Sequence, residues 1–141
     1  MNRKYEFTGE TKNWIGRTFH RIRAVRDFGD VKAGDLGGWI ETESNLSNDG
    51  NAWVYGDARV YGRKHILWIS MIGSRDDTVT FMRAKDEKII VAVGCFAGTI
   101  DEFSEKVKET HGDNEHAKAY MLAIELAKLR IDLSEEEGGK E

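Results

Sequence analysis

The sequence predicts an α+β fold: an N-terminal β region with a short, truncated hexapeptide segment of left-handed β-helix type, then a three-stranded antiparallel meander covered by two C-terminal helices. Three observations carry that expectation. Residues 50–62 read GNAWVYGDARVYG with a period of six, residues 65–96 break into three apolar β-like runs, and residues 99–131 show helical spacing behind a capping box.

The first forty residues alternate β-like runs with glycine breaks: KYEFTG, GRTFHRIRAVRDFGD and VKAGDLGGWI. In 18–28 one face carries His20, Ile22, Ala24, Arg26 and Phe28, the other Phe19, Arg21, Arg23 and Val25. Both faces are mixed, which predicts a strand that is half exposed or capped by another element. Gly34, Gly37 and Gly38 predict backbone turned too tightly for residues with a Cβ.

In the repeat, Gly50, Gly56 and Gly62 share one column, Ala52 and Ala58 another, and Val54, Val60 and Ile66 a third. A hexapeptide coil needs this pattern: the aliphatic fills the interior, Ala leaves room for it, and Gly with Asn or Asp takes the corners. Several coils must stack before a solenoid stands alone. With two clear copies, the segment is expected to lean on the rest of the chain. Trp53, Tyr55 and Tyr61 alternate with the inward Val54 and Val60, so they are expected to point outward and pack under another segment or anchor an interface.

HILWISMIG, TVTFMRAK and KIIVAVGCF read as the meander, joined by turns at 73–77 and 85–88. Their near-continuous apolar character predicts cover on at least one face. Thr99 with Glu102 forms a capping box before a first helix, which Gly112 ends. Asp113 or Asn114 caps a second helix over about 115–131, with Tyr120, Ile124, Ala127 and Ile131 on one stripe, broadened by Met121 and Leu122. The expected division is 1–64 for the β region with the repeat, 65–133 for the meander and its helical cover, and 134–141 for a disordered acidic tail.

With 40% hydrophobic residues and a net charge of −4, the chain reads as a folded protein and not as a basic coat for nucleic acid. No apolar run is long enough for a membrane span, and MNRKYEF lacks a signal-peptide core, so a cytoplasmic location and no membrane partner are expected. The single Cys95 has no disulfide or CxxC partner, and no metal or other cofactor is expected.

Several residues are candidates for chemistry. Cys95, ahead of a helix and with His111 following, reads either as a nucleophile or as a small core residue ending its strand; the core reading is preferred. His111 and His116 are expected to lie close together without a third ligand. The turn Gly73, Ser74 and Arg75 offers backbone donors and a guanidinium to an anion, with Arg63, Lys64 and His65 expected one strand away as part of the same positive patch; an ordinary hairpin turn is the competing reading. Arg21 and Arg23, interleaved with Phe19, form a second basic group able to meet phosphates or an acidic partner.

The run HRIRAVRDFGDVKAGDLGGWIETESNLS followed by GNAWVYGDARVYG is similar to a family of small, mostly uncharacterised phage and prophage proteins with YGxARV hexapeptide repeats. IGSRDDTVTF, VGCFAGTIDEF and KETHGDNEHAKAYMLAIELAKL resemble the C-terminal cap of such chains, so the resemblance covers Tyr5 to Ile131. The repeat also resembles that of hexapeptide acyltransferases, but those need several coils and usually a catalytic His at a subunit interface, and His65 is the one His beside the repeat here.

The resemblance implies a non-enzymatic phage protein that binds and blocks a host component, with a defence effector such as a CRISPR protein as the expected partner. Two other readings stand beside it: a small-ligand or nucleotide-sequestering protein using Arg75 and the Gly73 and Ser74 backbone, and a cysteine-dependent enzyme using Cys95 and His111. A truncated coil leaves open edges, so a homo-oligomer is expected in each case.

Overall fold

The computed structural model describes residues 3–56, 58–84, 88–94 and 96–133. Their fold is mixed α+β, two four-stranded sheets and two C-terminal helices. The first sheet runs β1 (Tyr5–Trp14), β2 (Arg17–Ala24), β3 (Leu36–Ile40) and β4 (Arg59–Val60), antiparallel except for the parallel pair β3–β4. The second is an antiparallel meander of β5 (Ile66–Ile72), β6 (Asp77–Ala84), β7 (Lys88–Val93) and β8 (Phe96–Thr99). Helices α1 (Ile100–His111) and α2 (Glu115–Arg130) follow.

The meander has four strands where three were expected. Phe96–Thr99 reads FAGT, with no β-branched run to mark it as a strand. A positive φ of 56° at Gly94 nonetheless lets the chain reverse between Val93 and Phe96, which pair. Cys95 itself lies outside the described residues, as does the tail 134–141.

The meander is the middle layer of three. Val79, Phe81, Ile89 and Val91 pack with Phe103, Val107, Tyr120 and Ile124 of the helices. Ile66 and Met82, with Ile90 and Ala92 beside them, pack instead with Tyr5, Ile22, Trp53 and Val54 of the N-terminal half. Cover on both faces is why these strands carry few polar interruptions.

Ala52, Val54, Ala58 and Val60 are fully buried, as their columns in the repeat require. Trp53, expected to pack under another segment or anchor an interface, is 5% exposed beneath the meander, and Arg59 and His65 in the same column are 8% and 5% exposed. The Trp53 backbone N–H donates to Thr80 Oγ1 (3.3 Å) and that of Tyr55 to Met82 Sδ (3.2 Å), which lays the meander across this segment. Tyr55 remains half exposed, while Tyr61 is partly buried against Phe19 and His65.

Gly37 and Gly38 also act differently from the tight turn expected. They lie in β3, where Gly38 N–H donates to Val54 O (2.8 Å) and Trp39 N–H to Ala58 O (3.0 Å), so what they allow is close approach of two backbones. The N-terminus is tied to the same segment: Lys4 Nζ donates to Ala52 O (2.7 Å) over the Phe28 ring, and burial pushes its pKa down to about 8.

Both caps of the helical layer match the sequence. Thr99 and Glu102 exchange side-chain-to-backbone hydrogen bonds (3.1 and 2.8 Å), and Asn114 Oδ1 accepts from Ala117 N–H (3.0 Å). Tyr120, Ile124, Ala127 and Ile131 are buried, but Leu122 is 72% exposed and does not broaden their stripe. No described helix is long and apolar enough to cross a membrane.

Candidate functional site

The β7–β8 hairpin forms the shared wall of two hollows. The larger, about 370 Å³, lies between the N-terminal half and the meander, and is lined by Asp30, Asp35, Asp76 and Asp77 with Trp53 and Tyr55. The smaller, about 180 Å³, lies between the β5–β6 turn and the helices, and is lined by Ser74, Arg75, Lys106, His111 and Tyr120. Asp77, Val93, Gly94 and Phe96 line both, so the two hollows adjoin at this hairpin and are together called the Gly94 cleft. Its larger part falls within the size range of small-molecule sites, about 300–1,000 Å³.

Charges of both signs meet at this hairpin. A Cβ at Gly94 would lie 3.2 Å from Asp30 Oδ2 and 3.4 Å from Asp77 Oδ2, so two carboxylates converge there because the residue is glycine. Arg75 approaches Asp30 at 4.0 Å but is mostly exposed and keeps donors free for a ligand. The Tyr120 hydroxyl is held above its usual pKa by burial first and by Asp77 second, against the opposing pull of Arg75, and stays a donor at neutral pH. His111 stacks on Tyr120 at 6.1 Å and lies 5.4 Å from His116. The smaller hollow thus carries a guanidinium, an ammonium and an imidazole together with the Asp77 carboxylate, and the larger carries Asp30 beside Arg75.

The turn residues predicted from sequence are split by this arrangement. Ser74 and Arg75 line the smaller hollow, but Gly73 is backed by the Tyr120 hydroxyl, which a Cβ there would meet at 2.1 Å. Arg63 sits in the 3-10 turn Arg63–His65, at the far end of β5 from Arg75, about 20 Å away for a seven-residue strand. The expected single patch of Arg63 and Arg75 therefore does not form.

Arg21 pairs with Glu10 at 3.2 Å and Arg23 with Glu6 across the β1–β2 hairpin, so both already have carboxylate partners. Such half-exposed pairs contribute about 0–1 kcal/mol each. Any pairing of His111 with Cys95 falls outside the described residues. Among the described residues, no group of three His, Cys, Asp or Glu could hold a metal ion. The residues that sequence reasoning missed are Asp30, Lys106 and Gly94, which come from three separate segments and share no local pattern.

Comparison with known proteins adds one relative. No family model matches the chain. A curated protein named an uncharacterized acetyltransferase, YdcK of Escherichia coli (strain K12), is 37% identical over 75 residues, covering 48% of this chain and 22% of that protein. The chain thus spans about a fifth of that relative's length. No solved structure matches. The match corrects one expectation: a similar protein carries an enzyme's name, so the reading of this chain as a non-enzyme does not stand.

Proposed function

We propose that the protein binds a small ligand with a phosphate or other anionic group, held across the Gly94 cleft. The observation that supports this reading is the meeting of both charges at the hairpin. Arg75, Lys106 and His111 can meet an anion, while Asp30 beside Arg75 and Asp77 between the two hollows can accept hydrogen bonds from hydroxyl or amino groups. If that ligand is a host signalling nucleotide, holding it is the means by which a phage protein would block a host process. A nucleotide at a hundred times its Kd should raise the Tm by roughly 5–10 °C. Arg75→Met should abolish the rise, and no rise with any nucleoside mono-, di- or triphosphate would sink the proposal.

Acetyl transfer is a second reading, favoured by the relative's name and by an imidazole at the cleft. Release of free thiol from acetyl-CoA in the presence of amine acceptors would support it; its absence would leave binding alone. The parallel rung of β3 beside β4 supports a hexapeptide-coil ancestry for the segment, with the repeat cut to a single pair of rungs.

Self-association fits the outer face of α2. Leu122, Leu126 and Leu129, at 72%, 42% and 85% exposure, have the spacing of four and three that forms a coiled-coil seam. Glu125 and Arg130 flank it where, in a parallel pair, Glu125 of one copy meets Arg130 of the other. Sedimentation at about 100 µM should show a dimer, made monomeric by Leu122→Glu with Leu129→Glu; a wild-type monomer would overturn this.

A further inference from the structure

Three arginines surround a single pair of aromatic rings at the other end of the meander. Arg17 lies 4.2 Å from the centre of the Tyr61 ring, Arg83 lies 5.4 Å from Tyr61 and 4.7 Å from Trp14, and Arg59 lies 4.8 Å from Trp14. Phe19 tilts against both rings at 5.7 and 6.0 Å. Arg83 is fully buried and Arg59 is 8% exposed, whereas the Arg17 side chain is about a third open to solvent.

The partners of these cations are uneven. Arg17 Nη1 donates to both oxygens of Glu41 (2.9 and 3.1 Å). Arg59 donates no hydrogen bond and makes no ion pair among the described residues, and its Nε is buried without a partner. Burying even one guanidinium donor unused is costly unless something supplies an acceptor. The Trp14 face offers a cation–π contact and no lone pair. Nearby, His65 is kept neutral by burial first, then by Arg83 and less strongly by Arg17, against the opposing pull of Asp132.

We propose that Arg59, with Arg17 at its mouth, forms an oxyanion site that takes a phosphate-type group against the Trp14–Tyr61 pair. The site is separate from the Gly94 cleft. Arg83 and Asp77 stand at opposite ends of β6, about 20 Å apart along the strand. The chemistry favours a tetrahedral oxyanion, whose oxygens can accept from the Arg59 fork while Glu41 holds Arg17 over the Tyr61 ring. The ligand is either the free ion or a phosphate ester on a larger molecule.

The test uses the full chain, melted in sodium phosphate and in sodium chloride at one ionic strength. Phosphate should raise the Tm by roughly 5–10 °C at a hundred times its Kd. Arg75→Met, which removes the guanidinium of the cleft, should retain a rise, and Arg59→Met added to it should lose that rise, which separates this site from the cleft. Arg59→Lys, which keeps the charge and loses the fork, should show a shallower rise and serves if the methionine variant does not fold. Glycerol 3-phosphate binding more tightly than inorganic phosphate would mark an ester ligand, and equal binding would mark the free ion. Equal Tm in phosphate and chloride, or the same rise in Arg59→Met/Arg75→Met as in Arg75→Met alone, would overturn the proposal.

Discussion

Gly37→Ala should destabilise the protein by about 3 kcal/mol, a fall in Tm of roughly 10 °C. A Cβ at Gly37 would meet Val54 O at 2.6 Å, Trp53 Cζ2 at 2.7 Å and Ile22 Cγ1 at 2.8 Å. One neighbour is backbone and the other two are core side chains, so none can yield as a flexible surface chain would. Relief requires β3 to move from residues 53–54, which breaks the Gly38 N–H to Val54 O bond and opens the first core. Gly50→Ala is the internal control: its φ of +73° is strained for alanine but nothing lies within 4 Å, so about 1 kcal/mol is expected. A Gly37→Ala protein that melts within 2 °C of wild type would mean that β3 does not press against the repeat.

Acid should weaken the fold through one histidine. His65 is 5% exposed, and its pKa is held down to about 4 by burial first and Arg83 second, with Asp132 opposing and Arg17 adding to the effect. Its Nδ1 accepts the Tyr61 N–H at 3.3 Å, a role that only the unprotonated nitrogen can fill. The folded pKa lies below the unfolded value of about 6.5, so as pH falls the unfolded chain takes up the proton first. Stability contributed by neutral His65 is therefore complete above about pH 6.5, declines between 6.5 and 4, and is lost below 4. The loss is about 3 kcal/mol. Urea unfolding at several pH values should show this slope, and His65→Gln should remove most of it. An unchanged slope in that variant would assign the acid sensitivity to other groups.

What was legible in the sequence was what short-range physics encodes. The alternation of Ala52, Val54, Ala58 and Val60 marked inward positions because a small residue must sit beside each branched one. Thr99 and Asn114 marked helix starts because a side-chain oxygen there satisfies a free backbone N–H. That Trp53 would be covered was legible as one of two outcomes, but not which element covers it, nor that Arg59 and His65 would be buried with it, since that depends on the meander lying across the segment. Strand β8 was missed because FAGT gains its strand geometry from pairing with β7 and not from its own residues.

The candidate site was legible only in part for the same reason. Ser74 and Arg75 were visible as turn chemistry, and His111 as a polar residue closing a helix. Their meeting depends on how β5 and β6 pack under α1 and α2, which also carries Arg63 to the far end of the sheet. Asp30 enters from a loop of the N-terminal half, and its approach to Asp77 rests on Gly94 having no side chain.

The central claim, that the Gly94 cleft takes an anionic small ligand, is tested most directly by backbone amide NMR during titration with nucleoside phosphates. Binding in the cleft predicts saturable shifts at residues 29–31, 73–77, 93–94, 96–97 and 106–111. Absence of shifts with every nucleotide, or shifts only around Trp14, Arg59 and Tyr61, would contradict it.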